Sequence, residues 1–229
     1  VREKISFDAR RARRQAQRML TLYDYLESGN AYKVRLILKL RGIPFRRVEL
    51  DILKRETRTP EFLAKNPNGR IPAVELEDGR VLFESNAILA YFAEGTELAG
   101  RDAWERAQIL QWMFFEQYSH EPYVATLRFW HFAKLLATKT PAEIEAKQSA
   151  GNAALAIMDA QLAARDYFVG ERFTIADIAL FAYTHVAGEG GFDLSRYPHV
   201  RRWIARIEAQ PKFVPIGEDF GVPASPVSS

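Results

Sequence analysis

No cysteine occurs among the 229 residues. No protein thiol can therefore act as nucleophile, close a disulfide or ligate a soft metal. Histidine is scarce too: His120, His131, His185 and His199 are scattered without metal-ligand spacing, so no metal site is expected. No stretch approaches the roughly 18 consecutive apolar residues of a membrane span, and the first residues hold no apolar block of the kind that opens a secretory signal. The cytoplasm is the expected compartment and no membrane partner is expected. A glycine-rich phosphate-binding motif is missing as well, which argues against a nucleotide-binding fold.

What is present is a chain that is 48% apolar, ample for a buried core. Its basic character is concentrated at one end. Residues 1–18 carry seven Lys or Arg and two acids, a local charge of +5, whereas the whole chain carries +3. The remainder is therefore slightly acidic, about −2, and does not bind nucleic acid by charge. The segment DARRARRQAQR reads as a disordered or helical basic extension in preference to an RNA- or membrane-seeking arm, with Met19 resembling a natural start.

Beyond Met19, MLTLYDY has strand character and NAYKVRLILKLRG has helix length with Gly42 as its stop. FRRVELD alternates as a strand and PEFLAKN as a short helix. IPAVELEDGRVLFE reads as a hairpin turning at Asp78-Gly79, and SNAILAYFAEG as a helix capped by Ser85 or Asn86. The order is β-α-β-α-β-β-α. From Arg101 the strand signals stop. WERAQILQWMFFEQYSHEPYVATLRFW reads as one long helix or two broken at Pro122, with Ala107, Leu110, Phe114 and Tyr118 at helical spacing. Three further helices follow, the first with Pro141 at its opening position, and GVPASPVSS is read as a mobile tail. An α/β domain over 19–95 and an all-helical domain over 101–220 are expected, flanked by the extension 1–18 and the tail 221–229, with the cleft between the domains as the expected site.

Four phrases, in order, resemble the cytosolic glutathione S-transferase family, in its bacterial, serine-type, cysteine-free form. SGNAYKV is similar to the family's active-site turn between first strand and first helix. PEFLAKNPNGRIPAVELEDG carries an Ile-Pro pair similar to the family's cis-proline. ESNAILAYFAE resembles the Glu/Gln-Ser pair opening the third helix, and YFVGERFTIADIALF the capping-box motif of the helical domain. The resemblance implies an α+β and all-α two-domain chain with a thioredoxin-like first domain. It also implies glutathione as co-substrate, a homodimer and a detoxifying conjugation.

In physical terms, Ser28 lies just before a helix, where free N–H groups and the positive end of the dipole favour an anion. A hydroxyl donating to a ligand's sulfur stabilises the thiolate, because such a bond is stronger to the charged form. Lowering a thiol from about 8.5 by roughly two units corresponds to about 2.7 kcal/mol. The alternative is that Ser28 merely caps the helix, although Asn30 is read as better placed for that cap. Asn30 also resembles a second thiol-activating group of some bacterial relatives.

Ile71-Pro72 is expected to be cis, offering the Ile71 backbone to a peptide ligand. The resemblance assigns Glu84 and Ser85 to the γ-glutamyl end of glutathione, with Ser85 otherwise an N-cap. Arg70 and Lys54 are candidates for the glycyl carboxylate, Lys54 with a solvated charge as the simpler reading. Tyr25, Leu26, Phe114, Tyr118 and Arg128 are candidates for the second substrate, although aromatics at helical spacing are usually core. Asp177 is a folding residue that completes a capping box with Thr174. Two alternatives stay open: glutathione-dependent reduction of disulfides or peroxides without a protein cysteine, and a non-catalytic binding or scaffold module.

Overall fold

The computed structural model describes residues 19–220 and the backbone of Val222–Pro223. The expected extension 1–18 lies outside the described residues, and so does the expected tail apart from those two. Two compact units emerge, one ending at Ile88 and taking in the chain again from Gly217, the other Leu89–Ile216.

In the first unit, β1 (Leu20–Asp24) leads through a tight turn into α1 (Gly29–Arg41), followed by β2 (Phe45–Glu49), the short α2 (Pro60–Leu63), β3 (Ala73–Glu75), β4 (Val81–Phe83) and α3 (Ser85–Ala93), whose second half belongs to the other unit. The sheet order is β4-β3-β1-β2-β5, with β5 (Val222–Pro223) supplied by the far end of the chain. β1 runs parallel to β2 and antiparallel to β3. This central place explains why Leu20, Thr21, Leu22 and Asp24 are all buried, on both faces of the sheet. Helix α1 ends as its sequence implies: Gly42 takes a left-handed φ of 65° and its N–H returns to the carbonyls of Leu38 and Lys39. Gly79 (φ 84°) turns the β3–β4 hairpin, where Leu76 N–H meets Arg80 O at 2.8 Å.

The second unit is helical: α4 (Ala103–Phe115), α5 (Glu121–Phe132), α6 (Pro141–Leu162), α7 (Ile175–Thr184) and α8 (Pro198–Glu208). All ten residues of α7 are buried, as expected of a helix that is apolar all round. Trp203 meets Phe168 and the helix's own Phe181 edge to face, at 5.2 and 5.9 Å between ring centres. Asp177, fully buried, accepts from the N–H and hydroxyl of Thr174 (2.9 and 3.0 Å), from Phe168 N–H (3.1 Å) and from Trp203 Nε1–H (2.9 Å). The capping-box reading holds, and the carboxylate additionally ties α7 to α8.

Of the two readings, one long helix or two broken at Pro122, neither holds as stated. The chain between α4 and α5 widens into one π turn over Glu116–His120, and Pro122 sits in the first turn of α5, where its missing N–H costs nothing. Among the described residues no helix is long and apolar enough to cross a membrane.

Candidate functional site

Ser28 closes the turn after β1, its N–H donating to Tyr25 O at 2.8 Å. Its backbone is extended (φ −77°, ψ 119°), its carbonyl accepts from Tyr32 N–H, and its Oγ accepts from Ala31 N–H at 3.2 Å. Ser28 is therefore the N-cap of α1. The expectation that Asn30 is better placed for that role is corrected, because Asn30 is the second residue of α1 and the cap bond is made by Ser28. The cap uses Ser28 as an acceptor, and a hydroxyl can still donate its hydrogen outward.

Asn30 instead reaches α3, where its Oδ1 accepts from Ser85 Oγ at 3.2 Å. The same Ser85 oxygen lies 3.4 Å from Lys33 Nζ, which also approaches Asn86 Oδ1 at 3.5 Å. Lys33 is fully buried. These bonds draw the N-terminal turns of α1 and α3 together, two positive dipole ends with an ammonium beside them. Sequence reading missed Lys33; its only signal is the three-residue spacing from Asn30, which puts both on one helix face.

Ser85 is not a cap. Glu84 carries that position, since its carbonyl accepts from Ile88 N–H at 2.9 Å and the helix begins at the next residue. Glu84 does so at φ 70°, a conformation that costs a non-glycine residue of order 1–2 kcal/mol and that concentrates at functional positions. Its carboxylate stays exposed, with Asn68 Nδ2 at 3.5 Å. The Ile71-Pro72 bond is cis, as expected, and leads directly into Ala73, the register partner of Tyr23 on β1. Arg70 is exposed, and its carbonyl accepts from Asn66 Nδ2 at 2.7 Å. Lys54 is 74% exposed and pairs with Asp51 at 3.0 Å, the solvated charge of the simpler reading.

The Ser28 turn is held from behind. Leu26 donates its N–H to Glu49 Oε1 (3.1 Å) and accepts at its carbonyl from Arg35 Nη2 (2.6 Å). Arg35 lies 3.4 Å from Asp24, and Arg47 contacts both Asp24 (3.5 Å) and Glu49. Burial pushes the Asp24 carboxyl above its usual range, against the pull of Arg35 and Arg47. Tyr25 and Leu26 of this turn are half-buried, and burial followed by Asp51, Glu49 and Glu27 raises the Tyr25 phenol.

The candidates in the helical unit divide. Phe114 and Tyr118 are 68% and 83% exposed, since α4 buries Ile109, Trp112 and Met113 and turns Leu110 and Phe114 outward, while Tyr118 projects from the π turn that follows. The expectation that such aromatics are core is corrected. Arg128 is buried rather than displayed, and its Nε meets Glu189 Oε2 at 2.6 Å. Among the described residues no group of three or more His, Asp or Glu is placed to hold a metal.

A small mixed sheet with a serine-capped first helix and a cis-proline before its third strand, followed by a helical unit, defines the glutathione transferase class. The family model described as "Glutathione S-transferase, N-terminal domain" matches residues 18–94, and its C-terminal counterpart matches 111–211. The chain belongs to the glutathione S-transferase family. A solved glutathione S-transferase from Pseudomonas fluorescens is 48% identical, with a TM-score of 0.85, covering 87% of this chain and all of that one. Ure2p in complex with glutathione superposes with a TM-score of 0.78 at 26% identity, over 85% and 96% of the two chains. Among curated proteins, Disulfide-bond oxidoreductase YfcG of Escherichia coli (strain K12) is 32% identical over 200 residues, covering 84% of this chain and 92% of that protein. Elongation factor 1-gamma of Equus caballus is 35% identical over 201 residues, covering 84% of this chain. The match spans 45% of the elongation factor, less than half its length.

Proposed function

We propose that the chain is a glutathione transferase that stabilises the glutathione thiolate beside Ser28 for attack on an electrophilic small molecule. The observation that carries this reading is the use of Ser28. It caps α1 as an acceptor from Ala31 N–H at 3.2 Å, which leaves its O–H to donate to a sulfur at the positive end of the helix. Asn30 belongs to the same centre through its link to Ser85. Glu84 and Ser85 take the γ-glutamyl end, where the ligand's amino group meets the Glu84 carboxylate and its carboxylate meets the α3 N-terminus. The Ile71 backbone pairs with the cysteinyl residue, and Arg70 meets the glycyl carboxylate. Phe114 and Tyr118 offer apolar surface to the electrophile. The reading includes a homodimer in the cytoplasm.

A second reading is favoured by the likeness to YfcG. Two glutathione molecules would reduce a disulfide, one thiolate displacing a thiol and the second resolving the mixed disulfide, to give oxidised glutathione and two thiols. The elongation factor matches favour a third, a binding module without chemistry.

The test is an ultraviolet titration of bound glutathione in the wild type and in Ser28→Ala. Thiolate formation well below the free thiol's range, lost in the variant, supports activation; turnover of electrophiles against disulfides then separates the first two readings. Binding without a shifted thiol identifies the module.

A further inference from the structure

The last described stretch of the chain returns to the first unit. Val222 and Pro223 pair in parallel with Arg46 and Arg47 of β2. Just before them Phe220 meets Phe45 edge to face at 6.1 Å, under Lys39 Nζ at 5.4 Å from its ring. Asp219 then grips Arg47 with both carboxylate oxygens, Oδ1 to Nε at 3.0 Å and Oδ2 to Nη2 at 2.7 Å. A single exposed ion pair is worth little, but this one is bidentate, and although Asp219 is 50% exposed the Arg47 side chain is only 11% exposed.

The bidentate grip fixes the guanidinium plane and so directs the remaining nitrogen, Nη1, between Asp24 and Glu49. Glu49 divides its oxygens, Oε2 to Arg47 and Oε1 to the N–H of Leu26. With a side chain 41% exposed, Glu49 has solvent to turn to once Arg47 is released. Arg35 holds the other side of the same residue, at Leu26 O. Two residues further on stands Ser28.

We propose that Asp219 is a positioning residue, which sets the geometry of the Ser28 turn through Arg47 and Glu49. The C-terminal segment thereby tunes the thiol chemistry at Ser28. The functional half of this inference rests on the thiolate reading of Ser28; the geometric half does not.

The test compares the wild type with Asp219→Ala, Asp219→Glu and Ser28→Ala. Amide hydrogen exchange on the free protein reads the turn, and titration of bound glutathione reads the chemistry. In Asp219→Ala, exchange at Leu26 and Ser28 rises by about tenfold while Val74 on β3 is unchanged. The bound thiol's pKa rises by about half a unit, equivalent to roughly threefold less thiolate at low pH. The KM for glutathione stays within about twofold. Asp219→Glu restores both signals. Should alanine unfold the chain, the isosteric but uncharged Asp219→Asn takes its place. Unchanged exchange at Leu26 overturns the proposal. Faster exchange with an unmoved thiol, when Ser28→Ala does shift it, overturns the functional half. If Ser28→Ala leaves the thiol unmoved, the thiolate reading fails and the exchange result alone decides whether Asp219 positions the turn.

Discussion

The Arg35 guanidinium and the Asp24 carboxylate meet at 3.4 Å with neither side chain exposed to solvent. A charge taken fully out of water is tolerated only with its partner, and here one end of the pair also anchors Leu26 O. Removal of Arg35 leaves the buried Asp24 carboxylate with Arg47 as its ion-pair partner, at the longer distance of 3.5 Å.

Arg35→Ala is therefore expected to destabilise the protein by about 3–5 kcal/mol, and the Arg35→Met, Asp24→Leu double variant by less than Arg35→Ala. Urea unfolding of the wild type, single and double variants measures both. A single variant that unfolds at the wild-type midpoint would show that the pair is not needed.

Capping and chemistry at Ser28 are separable. Aspartate caps helices as well as serine does, so Ser28→Asp should keep the stability to within about 0.5 kcal/mol. Its negative charge beside the sulfur should push the bound thiol upward and cut turnover by about tenfold or more. Thermal unfolding and the thiol titration read the two roles independently. Loss of stability with unaltered thiol chemistry would make Ser28 a cap alone.

Burial raises the Asp177 carboxyl from 3.8 to about 6, outweighing its hydrogen bonds from Trp203, Thr174 and Phe168. A group raised on folding contributes its stability below its unfolded value and loses it as pH rises through the folded one. The window here is about pH 4 to 6, and the loss is about 3 kcal/mol. Asp177→Asn removes this dependence and turns an amide N–H2 toward one pair of donors. The variant is expected to be less stable than wild type throughout, with the gap widest near pH 4 and narrowing towards pH 7. Urea midpoints across that range are the check, and a gap that widens towards pH 7 would reverse the assigned direction.

Phe114 and Tyr118 stand out in solvent, so replacing both by alanine should leave stability nearly unchanged. If they receive the electrophile, KM for an apolar electrophile rises several-fold, by about 1 kcal/mol of lost contact, while KM for glutathione stays the same. Parallel changes in both constants would remove them from the second-substrate wall.

Much of the architecture was legible because its signals are local. Gly42, the Asp78-Gly79 turn and Pro141 each mark an element boundary by backbone geometry alone. Which side chain serves as a cap was less legible. Ser28 and Asn30 are both good capping residues two positions apart, and the choice depends on Asn30 having a partner 55 residues away in Ser85. The outward stripe from α4 into the π turn is illegible for a similar reason, since periodicity shows that a face is apolar and not whether anything covers it. β5 left no sequence signal at all, being two residues long and dependent on the edge of β2.

That last strand changes the order in which the molecule can be completed. A ribosome delivers β1 to β4 early, yet the outer edge of β2 lacks its neighbour until residues 222 and 223 have emerged. Of the two described units, the one whose strands come first along the chain is therefore completed after the other has been made. Until then an open strand edge is available for pairing with other chains.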